Sequence, residues 1–185
     1  MPEKETAPYG SWRSPITSDL IVSGSVGLSQ PTIAGKDIYW IEMRPSEGGR
    51  NVIVRRDASG VATDINRPPF NARTRVHEYG GGDYVVRDDV VYFSNFSDQR
   101  LYKQLPGAEP RPITSEDQLR YADATVDAKR GRLICVLEDH TVAGREAVNT
   151  LVSIALEGSA DGGQVLVSGN DFYSSPRLSP DGTQQ

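Results

Sequence analysis

Short apolar runs separated by turn residues follow one another along this chain from about residue 20 onward. Runs of four to eight residues bounded by Gly, Pro, Asn or Asp are typical of β-strands. Glu47-Gly48-Gly49, Asp88-Asp89 and Lys129-Arg130-Gly131 lie between such runs and predict hairpin turns. The predicted strands and hairpins, in chain order, are DIYWIEMRP, RNVIVRRDASG, VATDI, GDYVVRDDVVYFSNF, QRLYKQL, PRPIT, ADATVDAKRGRLICVLEDH, NTLVSIAL and GQVLVSG.

Helical periodicity is nearly absent. Only TSEDQLRYAD, Thr114 to Asp123, has a brief helical pattern, in which Ser115 and Gln118 resemble a weak capping box. Since the segment is short and lies between strands, a single turn is the favoured interpretation.

The strands recur as units of four. The second strand of each unit begins at Ile38, Val90 and Leu133, with a spacing of roughly 40–50 residues that is typical of β-propeller blades. Immunoglobulin-like sandwiches also use short strands, but they do not repeat a four-stranded unit at this period. We therefore predict an all-β fold, a partial β-propeller of four-stranded antiparallel blades, after an N-terminal arm of residues 1–19. The incomplete propeller would occupy residues 20–185.

The last unit is cut short. SSPRLSPDG predicts the first strand of a fourth blade followed by a turn at Pro180-Asp181-Gly182, and a second strand should begin near Gln184. About three blades plus one strand do not close a ring. We expect the chain to be a fragment whose open sheet edges pair with another copy or are covered by loops.

Composition excludes several classes of function. The net charge of −5 and the pI of about 5.1 argue against a nucleic-acid partner, because phosphate contacts need clustered Lys and Arg. No run of apolar residues is long enough to span a membrane, and the N-terminus lacks the apolar region of a signal peptide. The single cysteine, Cys135, excludes an internal disulfide and favours a reducing compartment. We expect a cytoplasmic location.

The segment RVHEYGGGDYVV, Arg75 to Val86, carries the most suggestive chemistry. Gly80-Gly81-Gly82 matches neither phosphate-binding glycine motif, and no helix follows it. Small residues are instead expected where the inner strands of a propeller converge on the central channel.

Histidine and glutamate side chains in this segment could act in catalysis or metal binding. The only other histidine, His140, has no metal-ligand spacing to His77, so we predict no metal and no cofactor. A structural hydrogen bond between blades is the favoured role of His77 and Glu78. If the channel carries substrate, Arg75, His77, Glu78 and Tyr79 are the candidates for contacts that gate it.

No catalytic residue is predicted. SGSVG, Ser23 to Gly27, only approaches the G-x-S-x-G nucleophile motif, and no helix follows it. Without a nucleophile, histidine and acid set, the chain should hydrolyse nothing alone. A sugar-hydrolysing propeller would need paired carboxylates, but the residues of Asp88-Asp89 and of Glu138-Asp139 should point to opposite faces.

The motifs YGSWRSPIT, RPSEGGRNVIVR, TRVHEYGGGDYVV, VYFSNFSDQRLY, CVLEDH and DFYSSPRLSPDG together resemble a known family. They are similar to the N-terminal propeller of prolyl oligopeptidase family serine peptidases, in particular bacterial dipeptidyl aminopeptidase and acylaminoacyl-peptidase homologues. The resemblance covers the chain from about Tyr9 to its end. SPRLSPDG is also shared with TolB-like proteins, so a non-enzymatic propeller that binds another protein is the alternative.

The resemblance implies a parent in which the propeller caps a C-terminal α/β-hydrolase domain and admits short peptides to its Ser-Asp-His triad. The catalytic domain has no counterpart in these 185 residues, so no catalytic position is carried over. Specificity for free or acylated N-termini is left open.

Overall fold

Three four-stranded antiparallel sheets make up the computed structural model, which describes residues 6–183. Each sheet is a meander, in which consecutive strands pair in the orders β1-β2-β3-β4, β5-β6-β7-β8 and β9-β10-β11-β12. The strands are β1 Gly27–Ala34, β2 Asp37–Arg44, β3 Arg50–Arg56, β4 Ala62–Asp64, β5 Tyr84–Arg87, β6 Val90–Ser94, β7 Leu101–Gln104, β8 Arg111–Pro112, β9 Leu119–Asp127, β10 Arg132–Asp139, β11 Val148–Ala155 and β12 Gln164–Val167.

The three sheets are successive propeller blades. Their first strands lie side by side, because β5 contacts β1 on one side and β9 on the other. β1, β5 and β9 are therefore the inner strands, and the later strands of each blade lie progressively further out. This arrangement confirms the prediction of three four-stranded blades.

Two apolar clusters hold the blades together. Since alternate strand residues share a face, each blade presents one row of side chains to the next. Between the first and second blades the buried members are Tyr39, Ile41, Ile53, Ala72, Tyr84, Val86, Val91, Phe93 and Tyr102. Between the second and third they are Tyr92, Leu101, Ile113, Tyr121, Leu133, Cys135, Leu137, Val152 and Ile154. Complete burial raises the pKa of the Cys135 thiol to about 12, which makes it an inert core residue.

The predicted hairpin turns are present. Asp88 and Asp89 connect β5 to β6 with φ angles of 50° and 61°, a left-handed conformation that Asp tolerates better than most residues. A short 3₁₀ turn with Gly131 at a φ of 63° connects β9 to β10. A second 3₁₀ turn followed by Gly48 connects β2 to β3.

Residues 114–123 contain no helix, in agreement with the interpretation favoured above. Residues 116–118 form a bend, Leu119 begins the inner strand β9, and Tyr121 is buried in the cluster between blades. Pairing of β9 with β10 outweighs the weak local helical preference.

The expected first strand of a fourth blade is also not formed in the described part of the chain, which has no strand after β12. Its hydrogen-bonding neighbour would begin near Gln184, outside the described residues. The turn before that point is present, with Gly182 N donating to Ser179 O at 2.8 Å.

Before the first blade lies a short helix, α1 (Ser18–Ser23), which the sequence pattern did not predict. Thr17 caps it by accepting a hydrogen bond from Leu20 N at 3.1 Å. The expected boundary between residues 19 and 20 falls inside this helix, and residues 1–5 of the predicted arm lie outside the described part. In residues 6–183 no helix has the length and apolar character needed to cross a bilayer.

Candidate functional site

The connection from the first blade to the second places residues 75–82, which we call the glycine loop, against the third blade. The loop turns sharply, with φ angles of 55° at His77, 64° at Glu78 and 91° at Gly80. Two consecutive non-glycine residues in this region are uncommon and need support from their surroundings. That support begins with Val76, which is 1% exposed and packs with Ala122 and Val136 of the third blade.

His77 is fixed by two hydrogen bonds to the third blade. Its backbone N–H donates to Glu138 Oε1 at 3.1 Å, and its Nε2 lies 3.1 Å from Asn149 Oδ1. The amide oxygen can only accept, so Nε2 carries the ring proton in this contact. The predicted structural hydrogen bond between blades is thereby confirmed for His77.

Glu138 is the centre of the polar contacts around the loop. It is 5% exposed, and besides the His77 N–H it accepts from His140 Nε2 at 2.8 Å and faces Arg120 Nη1 at 3.3 Å. The structure thus brings both histidines of the chain to one buried carboxylate.

Arg120 ties the outer side of the loop to this centre. Its Nη1 donates to Glu78 Oε1 at 2.6 Å and to the Arg75 carbonyl at 2.9 Å. The Arg120 guanidinium lowers the pKa of the Glu78 carboxyl, so Glu78 stays ionised. Glu78, like His77, connects blades.

Two exposed aromatic rings flank the half-buried His77 ring at the surface of the loop. Tyr79 is 86% exposed and Phe172 is 67% exposed. The His77 ring lies between them, with its centroid 5.8 Å from that of Tyr79 and 5.2 Å from that of Phe172. Arg75 is also exposed, and its guanidinium lies over the Phe96 ring.

Gly81 and Gly82 occupy positions where a larger residue would not fit. A Cβ on Gly82 would lie 2.8 Å from Asp123 Oδ1 and 3.2 Å from Asp123 Cα, and one on Gly81 would lie 3.0 Å from Ala122 Cβ. Gly82 N donates to Asp123 Oδ1 at 2.5 Å, and Asp123 N donates to Gly82 O at 2.9 Å. The loop therefore lies directly against the next inner strand, which confirms the interpretation that these positions need small residues.

A second polar contact joins the first two blades beside the glycine loop. Gln30 lies in a bulge of β1, and its side chain binds both the N–H and the carboxylate of Asp83. Asp83 Oδ1 also accepts from Thr74 N at 2.7 Å. Burial raises the pKa of the Asp83 carboxyl to about 6, although these hydrogen bonds act in the opposite direction.

Asp83 should give the stability of the chain a measurable pH dependence. The folded chain holds this proton more tightly than the unfolded chain, where the pKa is near 3.8, so the contribution of Asp83 to the free energy of unfolding should fall by about 3 kcal/mol as pH rises from about 4 to 7. Asp83→Asn should remove that fall. The variant should therefore become more stable relative to the unmodified chain as pH rises over this range. Urea unfolding at a series of pH values tests this, and parallel pH profiles for the two proteins would contradict it.

Within residues 6–183 no group of three or more His, Cys, Asp or Glu side chains is placed to hold a metal ion. Ser25 lies after α1, and its hydroxyl bonds only to the Ile21 carbonyl at 3.3 Å among the described residues. The sequence pattern did not indicate Arg120 or Asn149, and it named Glu138 only as part of a carboxylate pair unsuited to sugar hydrolysis.

Comparison with known proteins finds matches among solved structures. No protein-family model matches the chain, and no curated protein matches it. Among solved structures, a puromycin-hydrolysing peptidase of Mycobacterium tuberculosis is 37% identical with a TM-score of 0.83. A puromycin hydrolase is 35% identical with a TM-score of 0.82, and a variant of puromycin hydrolase in complex with PGG is 36% identical with a TM-score of 0.84.

The matches cover nearly all of this chain but a minor part of the other proteins. They extend over 96–97% of the chain, which spans 30% of the length of each neighbour. The matched part is their N-terminal propeller. With its three blades and this similarity, the chain corresponds to the N-terminal β-propeller part of puromycin-hydrolysing peptidases of the prolyl oligopeptidase family.

Proposed function

We propose that this chain forms part of a propeller that controls the access of short peptides to an α/β-hydrolase domain in the same protein. The observation that carries the proposal is the similarity to puromycin-hydrolysing peptidases along 96–97% of the chain. Access control is a steric function, in which a narrow opening admits small substrates and excludes folded proteins.

The glycine loop is the best candidate for the edge of that opening. It is rigidly positioned by Val76, by the His77 contacts and by the Glu78–Arg120 ion pair, yet it leaves Tyr79 and Arg75 exposed. A rigid backbone that presents exposed side chains is suited to selection of substrates. We assign Arg75, His77, Glu78 and Tyr79 to substrate gating.

The proposed substrate class rests on the same similarity. Puromycin is an aminoacyl amide with a free amino group, so we propose that the whole protein cleaves small aminoacyl amides and short peptides that have a free N-terminus. A dipeptidyl aminopeptidase would release two residues at a time, whereas hydrolysis of puromycin releases one. An acylaminoacyl-peptidase activity would instead require a blocked amino group. The buried Cys135 thiol supports a cytoplasmic location, and self-association through open sheet edges stays a prediction.

The proposal can be tested by measuring how hydrolysis by the whole protein that contains this chain depends on the length of the substrate. We expect it to hydrolyse puromycin and to prefer it to a peptide several times longer. Tyr79→Ala should raise the kcat/KM for the long peptide, relative to that for puromycin, severalfold, because it removes bulk at the opening. Tyr9→Ala is the control, because Tyr9 is 99% exposed in the N-terminal segment.

Two failures can be told apart in this experiment. An unchanged ratio in Tyr79→Ala would overturn the gating role while leaving the peptidase assignment intact. If the unmodified protein hydrolyses neither substrate, the peptidase assignment fails and the protein-binding alternative replaces it.

A further inference from the structure

Two aromatic side chains beside the glycine loop are far more exposed than most others in the chain. Phe172 is 67% exposed, whereas the other phenylalanines are buried or half-buried. Tyr79 is 86% exposed, and among the tyrosines only Tyr9 of the N-terminal segment exceeds it. Single exposed apolar residues are common on protein surfaces, but adjoining ones mark a surface that contacts another molecule.

The two rings occupy equivalent positions in the propeller. Gly82, Asp123 and Ser175 stand at the same distance before the hairpin turns of the second, third and fourth units. These residues also meet in the structure, because the N–H groups of Gly82 and Ser175 donate to the two oxygens of the Asp123 carboxylate at 2.5 Å and 2.9 Å. At one equal distance before these three residues the chain carries Tyr79, Arg120 and Phe172.

This repeated position lies at the rim of the central opening. The inner strands of a propeller surround its axis, and these residues lead into inner strands at the end where the glycine loop lies. A following blade does not cover the position, since Tyr79 is exposed although the third blade binds its neighbour Glu78. The exposure of Phe172 therefore follows from its place in the repeated unit.

The backbone that carries each ring is held in place. Tyr173, the residue after Phe172, packs against the buried cluster around Val76. Gly80, the residue after Tyr79, donates its N–H to the Val76 carbonyl at 2.9 Å. Both rings thus project from anchored backbone, so a ligand that contacts them loses little binding free energy to ordering of the loop.

The His77 ring lies between the two exposed rings and completes a row of three. Its plane is inclined by 46° to that of Tyr79 and by 79° to that of Phe172. Arg120, the equivalent residue of the third blade, is engaged by Glu78 and leaves the two outer rings uncovered. Aromatic rings favour offset, tilted and edge-to-face neighbours, so a further flat ring can extend this row.

We propose that Tyr79 and Phe172 bind the aromatic ring of a small amide substrate by stacking at the rim of the opening. This inference rests on the proposed function, and it adds that the opening selects substrates by aromatic character as well as by size. Puromycin has an aromatic ring on each side of its amide, one in the aminoacyl side chain and one in the purine base. Both rings have the required chemistry, and the experiment below distinguishes them.

Ligand-observed NMR titrations of the whole protein that contains this chain test the proposal. The probes are 2-phenylethylamine for the side-chain ring, 6-dimethylaminopurine for the base, and 2-cyclohexylethylamine as an amine of similar shape without an aromatic ring. Phe172→Leu should raise the Kd of at least one aromatic probe about threefold or more, and the probe affected identifies the ring that is bound. Phe172→Tyr keeps a ring at this position and should keep the binding.

Tyr9→Leu is the matched control, because it removes an exposed ring from the N-terminal segment and should change no Kd. An unchanged Kd of both aromatic probes in Phe172→Leu would overturn the proposal. So would an equal weakening of 2-cyclohexylethylamine, which would show ordinary apolar contact instead of stacking. None of the probes contains an amide bond, so their binding is measured whether or not the unmodified protein hydrolyses puromycin, and the two proposals can fail separately.

Discussion

Replacing Gly82 with alanine should lower the free energy of unfolding of this chain by about 3 kcal/mol. The new Cβ would lie 2.8 Å from Asp123 Oδ1 and 3.2 Å from Asp123 Cα. Asp123 cannot move away easily, because its carboxylate also accepts from Ser175 N at 2.9 Å and its own N–H donates to Gly82 O. The blades would have to separate locally, which would weaken the contact between their inner strands.

Urea unfolding of the variant should show a lower midpoint with an unchanged slope. Gly24→Ala is the matched control, because Gly24 has a φ of −109° and nothing within 4 Å of the position of a Cβ. Gly82 is likewise outside the left-handed region, so the two substitutions differ in available space rather than in backbone strain. Equal stabilities of the two variants would show that the inner strands do not pack as tightly as described.

The blade pattern was readable from the sequence because it depends on local signals. Strands such as β2, β6 and β10 are continuous apolar runs, and each ends or begins at a turn containing Gly or Asp. The requirement for small residues at Gly81 and Gly82 was also predictable, since glycines that lead into a strand and are followed by no helix indicate a close approach of two backbones.

The inner strands β1 and β9 were less predictable. Both contain a bulge, at Gln30 and at Asp123, where a polar residue with positive φ interrupts the alternation of apolar and polar positions. Each of these side chains bonds to the neighbouring blade, so its role depends on contacts between residues distant in sequence. Local periodicity carries no information about such contacts.

The polar centre around Glu138 was missed for the same reason. Glu138 comes near the end of an apolar strand, where a carboxylate would ordinarily face solvent. Its burial results from the glycine loop, which comes 61 residues earlier in the chain and covers it with the His77 N–H. The candidate residues Arg75 to Tyr79 could be selected from the sequence, but not the residues that hold them in place.

Replacing Glu138 with glutamine should also destabilise the chain, by loosening the glycine loop. The amide would keep one acceptor for the His77 N–H, but its NH₂ group would then face Arg120 and His140, which are donors in these contacts. Arg120 would keep its ion pair with Glu78, but a buried NH₂ group facing two donors has no acceptor there, so we expect a loss of about 2–3 kcal/mol in the free energy of unfolding.

Glu78→Gln is the matched control, because Glu78 binds the same guanidinium at 2.6 Å but its side chain is 76% exposed. Solvent screens such a pair, so its loss should leave the unfolding midpoint almost unchanged. Hydrogen exchange of the His77 amide separates the two variants more directly, since protection should be lost in Glu138→Gln and kept in Glu78→Gln. If both variants kept that protection, the loop would be held by Val76 packing and by the hydrogen bonds of Gly82 with Asp123. The rigid position that we infer for the edge of the opening would then not depend on the Glu138 carboxylate.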